Sequence, residues 1–109
     1  MPANIETSGL PIRQSLQKDA KVGTNVLFYC PFKTNGCRII WEGPPNLQTL
    51  YADDAFTNPR LSSISVILEN NEFNLQLNSV TQFDSGAYRC TCIGSGYNRT
   101  QTYQLHIQM

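Results

Sequence analysis

Asp84, Gly86, Tyr88 and Cys90 stand at alternating positions near the end of the chain, with Cys30 and Trp41 far upstream. Successive side chains of an extended strand point to opposite faces, so Tyr88 and Cys90 share one face, and Cys30 lies far enough back to reach across to a second sheet. Period-two apolar runs recur along the chain. Val26, Phe28 and Cys30 form one; Ile39 and Trp41 another; Ile64, Val66 and Leu68 a third; Phe73, Leu75 and Leu77 a fourth; Tyr103, Leu105 and Ile107 a fifth. Such alternation marks half-buried strands, and the punctuation between the runs is that of turns: Gly23, Gly43-Pro44-Pro45, Asn70-Asn71 and Gly94-Ser95-Gly96. An edge strand is expected around Leu10, Ile12 and Leu16, where Pro11 removes a backbone donor at least cost. The reading is all-β, with residues 1–8 a disordered N-terminal segment and residues 9–109 a single domain.

Eight basic side chains balance eight acidic ones, so no net field draws the chain to nucleic acid or to an anionic membrane. Four cysteines among 109 residues, none in a Cys-x-x-Cys pair, fit an oxidised disulfide framework and hence an extracellular setting. No apolar run approaches the roughly 20 residues that span a bilayer. Met1-Pro2-Ala3-Asn4 has neither the charged nor the hydrophobic region of a signal peptide. The expectation is a domain excised from a longer ectodomain, with stalk, further domains or membrane anchor beyond it.

The Cys30, Trp41, Tyr88 and Cys90 set resembles the immunoglobulin superfamily over about residues 23 to 107. In that family a Cys on strand B bonds a Cys on strand F, a Trp on strand C packs against the bridge, and a Tyr two residues before the second Cys bonds back to backbone at a corner. The resemblance implies a two-sheet Greek-key sandwich and a Cys30–Cys90 disulfide. Arg60 and Asp84 match the positions at which variable-type domains carry a charge-assisted pair. The resemblance is therefore V-set-like, and the short stretch from Trp41 to Arg60 leaves room for strand C′ and for little or no C″. The last strand lacks the Phe-Gly-x-Gly bulge of rearranged antigen receptors.

Cys37 precedes Trp41 and Cys92 follows Cys90, and in antiparallel strands C and F both displacements run toward the same end of the sandwich. Both cysteines keep the inward parity, so a Cys37–Cys92 bridge is within reach, whereas adjacent same-face cysteines such as Cys90 and Cys92 point parallel to one another. In the chain-entropy model the first bridge contributes roughly 4 kcal/mol and the second roughly 2 to 3. The second is expected to tie the B–C loop to the F–G loop.

One histidine, His106, lies on the outward parity of the last strand, and no nucleophile, base or metal set converges around it. A Cys37, Cys92 and His106 zinc site lacks a fourth ligand and has its histidine pointing away. Asp53-Asp54 reads as a solvated acidic pair. The expectation is no enzyme, no cofactor and no small-molecule substrate. The outward face of the C-C′-F-G sheet is more informative: Arg38, Ile40 and Glu42 from C, Arg89, Thr91 and Ile93 from F, and Gln104 from G fall together, with Leu50 and Tyr51 of C′ alongside. Apolar side chains edged by Arg and Tyr have the composition of an interface centre with a polar rim. The F–G loop, residues 94–99, offers Tyr97 and Arg99 as contact residues, and Asn98-Arg99-Thr100 is an N-glycosylation sequon on that loop.

The resemblance implies an extracellular recognition domain of a cell-surface receptor or adhesion protein, binding another immunoglobulin-like domain, identical or different, in adhesion or immune co-signalling. Cys30-Pro31-Phe32-Lys33 with a further Cys before Trp41 is similar to lymphocyte inhibitory receptors of the B- and T-lymphocyte attenuator kind. A ligand-capture domain for a cytokine and a structural spacer are the alternatives.

Overall fold

The computed structural model describes residues 15–32, 36–52, 56–57, 63–70, 72–94 and 96–108, with the side chains of Phe56, Thr57 and Tyr97 outside that description. Residues 1–14, Asp53, Asp54 and Arg60 therefore also lie outside it, and with them the N-terminal segment and the expected Arg60–Asp84 pair. Nine strands are described: β1 Ser15–Lys21, β2 Val26–Phe28, β3 Cys37–Gly43, β4 Gln48–Ala52, β5 Phe56–Thr57, β6 Ile64–Glu69, β7 Glu72–Leu77, β8 Gly86–Gly94 and β9 Tyr97–Gln108. They form two sheets, ordered β1-β9-β8-β3-β4-β5 and β2-β7-β6.

The period-two residues face one another across the gap. Phe28, Cys30, Ile39, Trp41, Leu75, Leu105 and Val80 are fully buried. Phe28 is central, with its ring 4.8 Å from that of Tyr88, 5.0 Å from that of Tyr103 and 6.3 Å from that of Trp41. Polar atoms carried into this core reach the backbone of the opposite layer. Trp41 Nε1 donates to the Phe73 carbonyl at 2.8 Å, and the Tyr103 hydroxyl donates to the Tyr29 carbonyl. Buried Asn74 accepts from the Cys30 amide at 2.9 Å, extending the β2–β7 ladder past its last backbone pair, Phe28 with Leu75. A donor left unpaired here would cost about 1 to 3 kcal/mol.

Two elements differ from expectation. β1 is a parallel partner of β9, and Leu16 is part of it but 48% exposed. Its sequence, SLQKDAK, contributes a backbone ladder at a sheet edge and buries few side chains, so it carries no apolar alternation. Its charged residues also suit an edge that must resist pairing with other chains. Leu68, expected inside, is 58% exposed: Ile64 and Val66 pack on the core, but the end of β6 runs past it into the turn at Asn70. That turn joins the Glu69–Glu72 pair, and Asn70 takes the positive φ of 54° that such two-residue connections require. C″ is the two-residue β5, the short form expected.

At the other end of the sandwich, Thr81 and Asp84 cap the short 3-10 turn Gln82–Asp84; the Asp84 carboxylate accepts the Thr81 amide at 2.7 Å. The Tyr88 hydroxyl donates to the Asp84 carbonyl at 2.5 Å, closing the corner between β7 and β8. Gly43 lies beneath this tyrosine. A Cβ there would sit 2.7 Å from Leu50 Cδ1 and 2.9 Å from Tyr88 Cδ2, both well-packed core atoms. Gly43→Ala should therefore lower stability by about 1 to 3 kcal/mol, read as a shifted urea midpoint with unchanged slope.

Burial, together with nearby Asp84, raises the Tyr88 phenol far above its ordinary range, and burial raises that of Tyr103 as well. Raised folded-state values mean that the folded chain holds protons the unfolded chain has released. The associated stability is complete below the ordinary tyrosine pKa of about 10 and is lost as pH rises above it. Denaturant titrations at pH 8 and pH 11, completed before disulfide exchange, should show this loss, and Tyr88→Phe should make it shallower.

Candidate functional site

The outward face of the larger sheet is assembled by register. Arg38 of β3 lies opposite Ile93 of β8, which lies opposite Asn98 of β9. The next row is Ile40, Thr91 and Thr100, and the next Glu42, Arg89 and Thr102; Ala87 with Gln104 ends the series. Ile40, Thr91 and Ile93 are half-buried, and neither isoleucine belongs to the core cluster. Glu42 and Arg89, both read as contact residues, engage each other: Arg89 Nε and Nη2 lie 2.9 and 2.8 Å from Glu42 Oε1. A partly exposed pair of this kind contributes about 0 to 1 kcal/mol, but it cancels two charges beside the isoleucines.

The contribution of β4 needs correction. Leu50 is 1% exposed and buried in the core, and Tyr51 packs its ring 5.6 Å from Phe73 of the opposite sheet. The β3–β4 register shifts between Trp41, paired with Tyr51, and Glu42, paired with Thr49. The extra residue at this bulge sends both Leu50 and Tyr51 inward, which strict alternation cannot do. Thr49, opposite Glu42, stands on the outward face instead, whereas Ala52, opposite Ile40, is buried. Nothing in the composition of QTLYA announces a bulge.

The F–G connection is also shorter than read. β8 continues to Gly94, which pairs with Tyr97, leaving two residues in the turn, where Gly96 has a φ of 81°. Arg99 is thus a strand residue opposite Cys92, and Asn98 lies on β9 rather than on a loop.

Cys30 is bonded to Cys90 across the two sheets, with 5.7 Å between Cα atoms. Cys37 is bonded to Cys92 with 5.5 Å between Cα atoms, but these residues sit on neighbouring strands of one sheet. The second bridge therefore pins β3 to β8 near the β8–β9 turn and does not join loop to loop. It also consumes the two sulfurs of the conceivable zinc set, while His106 Nε2 lies 2.7 Å from Gln17 Oε1 on the sheet edge. A concavity of about 580 Å³ lies at the opposite end, lined by Pro44, Pro45, Leu50, Asp84, Tyr88 and the 83% exposed Phe83. Its one carboxylate is already committed to the Thr81 amide. Among the described residues no group of three or more His, Cys, Asp or Glu could hold a metal ion, and no helix is long and apolar enough to cross a membrane.

No family model matches the sequence, and no curated protein matches it. Solved structures do match the fold. The second Ig domain of the mouse polymeric immunoglobulin receptor superposes with a TM-score of 0.75 at 16% identity, covering 88% of this chain and 98% of that one. The ZIG-8–RIG-5 IG1–IG1 heterodimer gives 0.74 at 19% identity over 94% of this chain and 90% of that one. Dpr11 IG1, solved bound to DIP-gamma, gives 0.73 at 20% identity over 87% of this chain and all (100%) of that one. With two packed sheets, the intersheet disulfide against Trp41, the Tyr88 corner, a parallel first strand and both C′ and C″, the chain has the immunoglobulin fold in a V-set-like form.

Proposed function

We propose that this domain works by noncovalent recognition of another immunoglobulin-like domain, at the cell surface, in adhesion or immune co-signalling. The observation that carries this reading is the row structure of the outward β3-β8-β9 face. Two half-buried isoleucines and neighbouring threonines form the centre, the Glu42–Arg89 pair neutralises one flank, and Arg38 and Gln104 supply a polar rim. Interfaces concentrate apolar contact at the centre and confine charge to the edge in this way. Support comes also from the similar IG1 domains of Dpr11 and ZIG-8, whose structures hold them against other immunoglobulin domains. Two disulfides support an extracellular setting. The residues assigned to contact are Arg38, Ile40, Glu42, Arg89, Thr91, Ile93 and Gln104.

The test is a binding array of immunoglobulin-type ectodomains that includes this domain itself. At least one should bind. Ile40→Asp, which puts a carboxylate into the centre, should weaken that binding by roughly 30-fold or more, the equivalent of about 2 kcal/mol, with the melting temperature nearly unchanged. Unchanged affinity in this variant contradicts the assigned face, and a spacer role predicts no binding at all.

A further inference from the structure

The sequon Asn98-Arg99-Thr100 does not sit on a flexible tip. Asn98 is exposed on β9, directly opposite Ile93, and Ile93 is directly opposite Arg38, so all three occupy one row of the outward face. Thr100 follows on the same face, opposite Thr91. The motif meets the acceptor rule, with Arg rather than Pro at its centre.

From these placements we propose that Asn98 carries an N-linked glycan whose first sugars lie over the Arg38–Ile93 row of the sheet. Side chains directly opposite one another on neighbouring strands are about 5 Å apart at Cβ. The sugar attached at Asn98 is at least that wide, so where it lies along the sheet it covers Ile93. The face is thereby divided. The Arg38–Ile93–Asn98 row is shielded by carbohydrate, and the Ile40–Thr91 and Glu42–Arg89 rows remain open toward β4. The consequence for binding rests on the recognition reading above: the glycan takes Arg38 and Ile93 out of the contact set and confines the partner to the β3–β4 side of the face, and its absence restores the full set. The modification and the shielding stand apart from that reading.

The chain is secreted from glycosylating eukaryotic cells as wild type, N98Q, T100A and T100S. Intact mass before and after peptide N-glycosidase treatment should show one glycan on wild type and on T100S, which keeps an Asn-x-Ser acceptor, and none on N98Q or T100A. Hydroxyl-radical footprinting should show Ile93 oxidised several-fold less in the glycosylated form than in either unglycosylated variant, with Leu68 of the other sheet oxidised equally in all. Two independent sequon-free variants keep the comparison valid should one of them fold poorly. Absence of carbohydrate at Asn98, or equal oxidation of Ile93 with and without it, overturns the proposal. In the ectodomain array N98Q should bind more tightly than the glycosylated wild type; if neither form binds any domain, the recognition reading fails while the mass and footprinting results judge the glycan independently.

Discussion

The Cys30–Cys90 bond, closed against Trp41, is the constraint on which the rest depends. It holds one point of β8 against the opposite sheet and so decides which parity of β8 faces the core. Once Cys90 points inward, Tyr88 and Cys92 must do the same, and Arg89, Thr91 and Ile93 must face out. Hydrogen-bonded register then transmits that choice to β3 and β9, where Ile39 and Trp41, and Tyr103 and Leu105, fall inside. A one-residue slip would exchange the two faces entirely. The core and the candidate recognition surface are thus two sides of a single decision.

Side-chain polarity reinforces the same arrangement. The Trp41 indole and the Tyr103 phenol each cross to a backbone carbonyl of the opposite layer, and Asn74 completes the ladder at Cys30. Among the described residues, no buried side-chain nitrogen or oxygen lacks a partner. Each such bond adds only about 1 kcal/mol net, but the cost of leaving its buried partner unmade is larger, so these groups penalise alternative packings of the two sheets. The second disulfide acts within one layer, fastening β3 to β8 at the end where the β8–β9 turn is tight.

The strands legible in the sequence were those whose side chains divide between core and water. Val26 and Phe28, Ile39 and Trp41, Leu75 and Leu77, and Tyr103 and Leu105 all announce their faces by alternation, and they lie buried. β1 is legible only as an edge strand reaching Leu16; residues 17–21 carry no apolar signal, because they contribute hydrogen bonds at an edge and almost no buried apolar area. The outward placement of Ile40, Thr91 and Ile93 followed from parity, but Leu50 and Tyr51 did not, because a bulge breaks the period at one point and leaves no trace in composition. Residues 94–99 looked like a loop because Gly-Ser-Gly and a sequon are loop chemistry; the pairing of Gly94 with Tyr97 depends on the whole β8–β9 ladder. Asn74 had no signal at all, since its role is defined by an amide 44 positions away.

In the recognition proposed above, the outward β3-β8-β9 face meets the partner. Cross-saturation nuclear magnetic resonance on the complex between this domain and a partner recovered from the array reads that contact residue by residue. The attenuated amides should cluster at Ile40, Glu42, Arg89 and Thr91. Attenuation centred instead on Leu27, Ser65 and Gln76, which line the outward face of the β2-β7-β6 sheet, would contradict it.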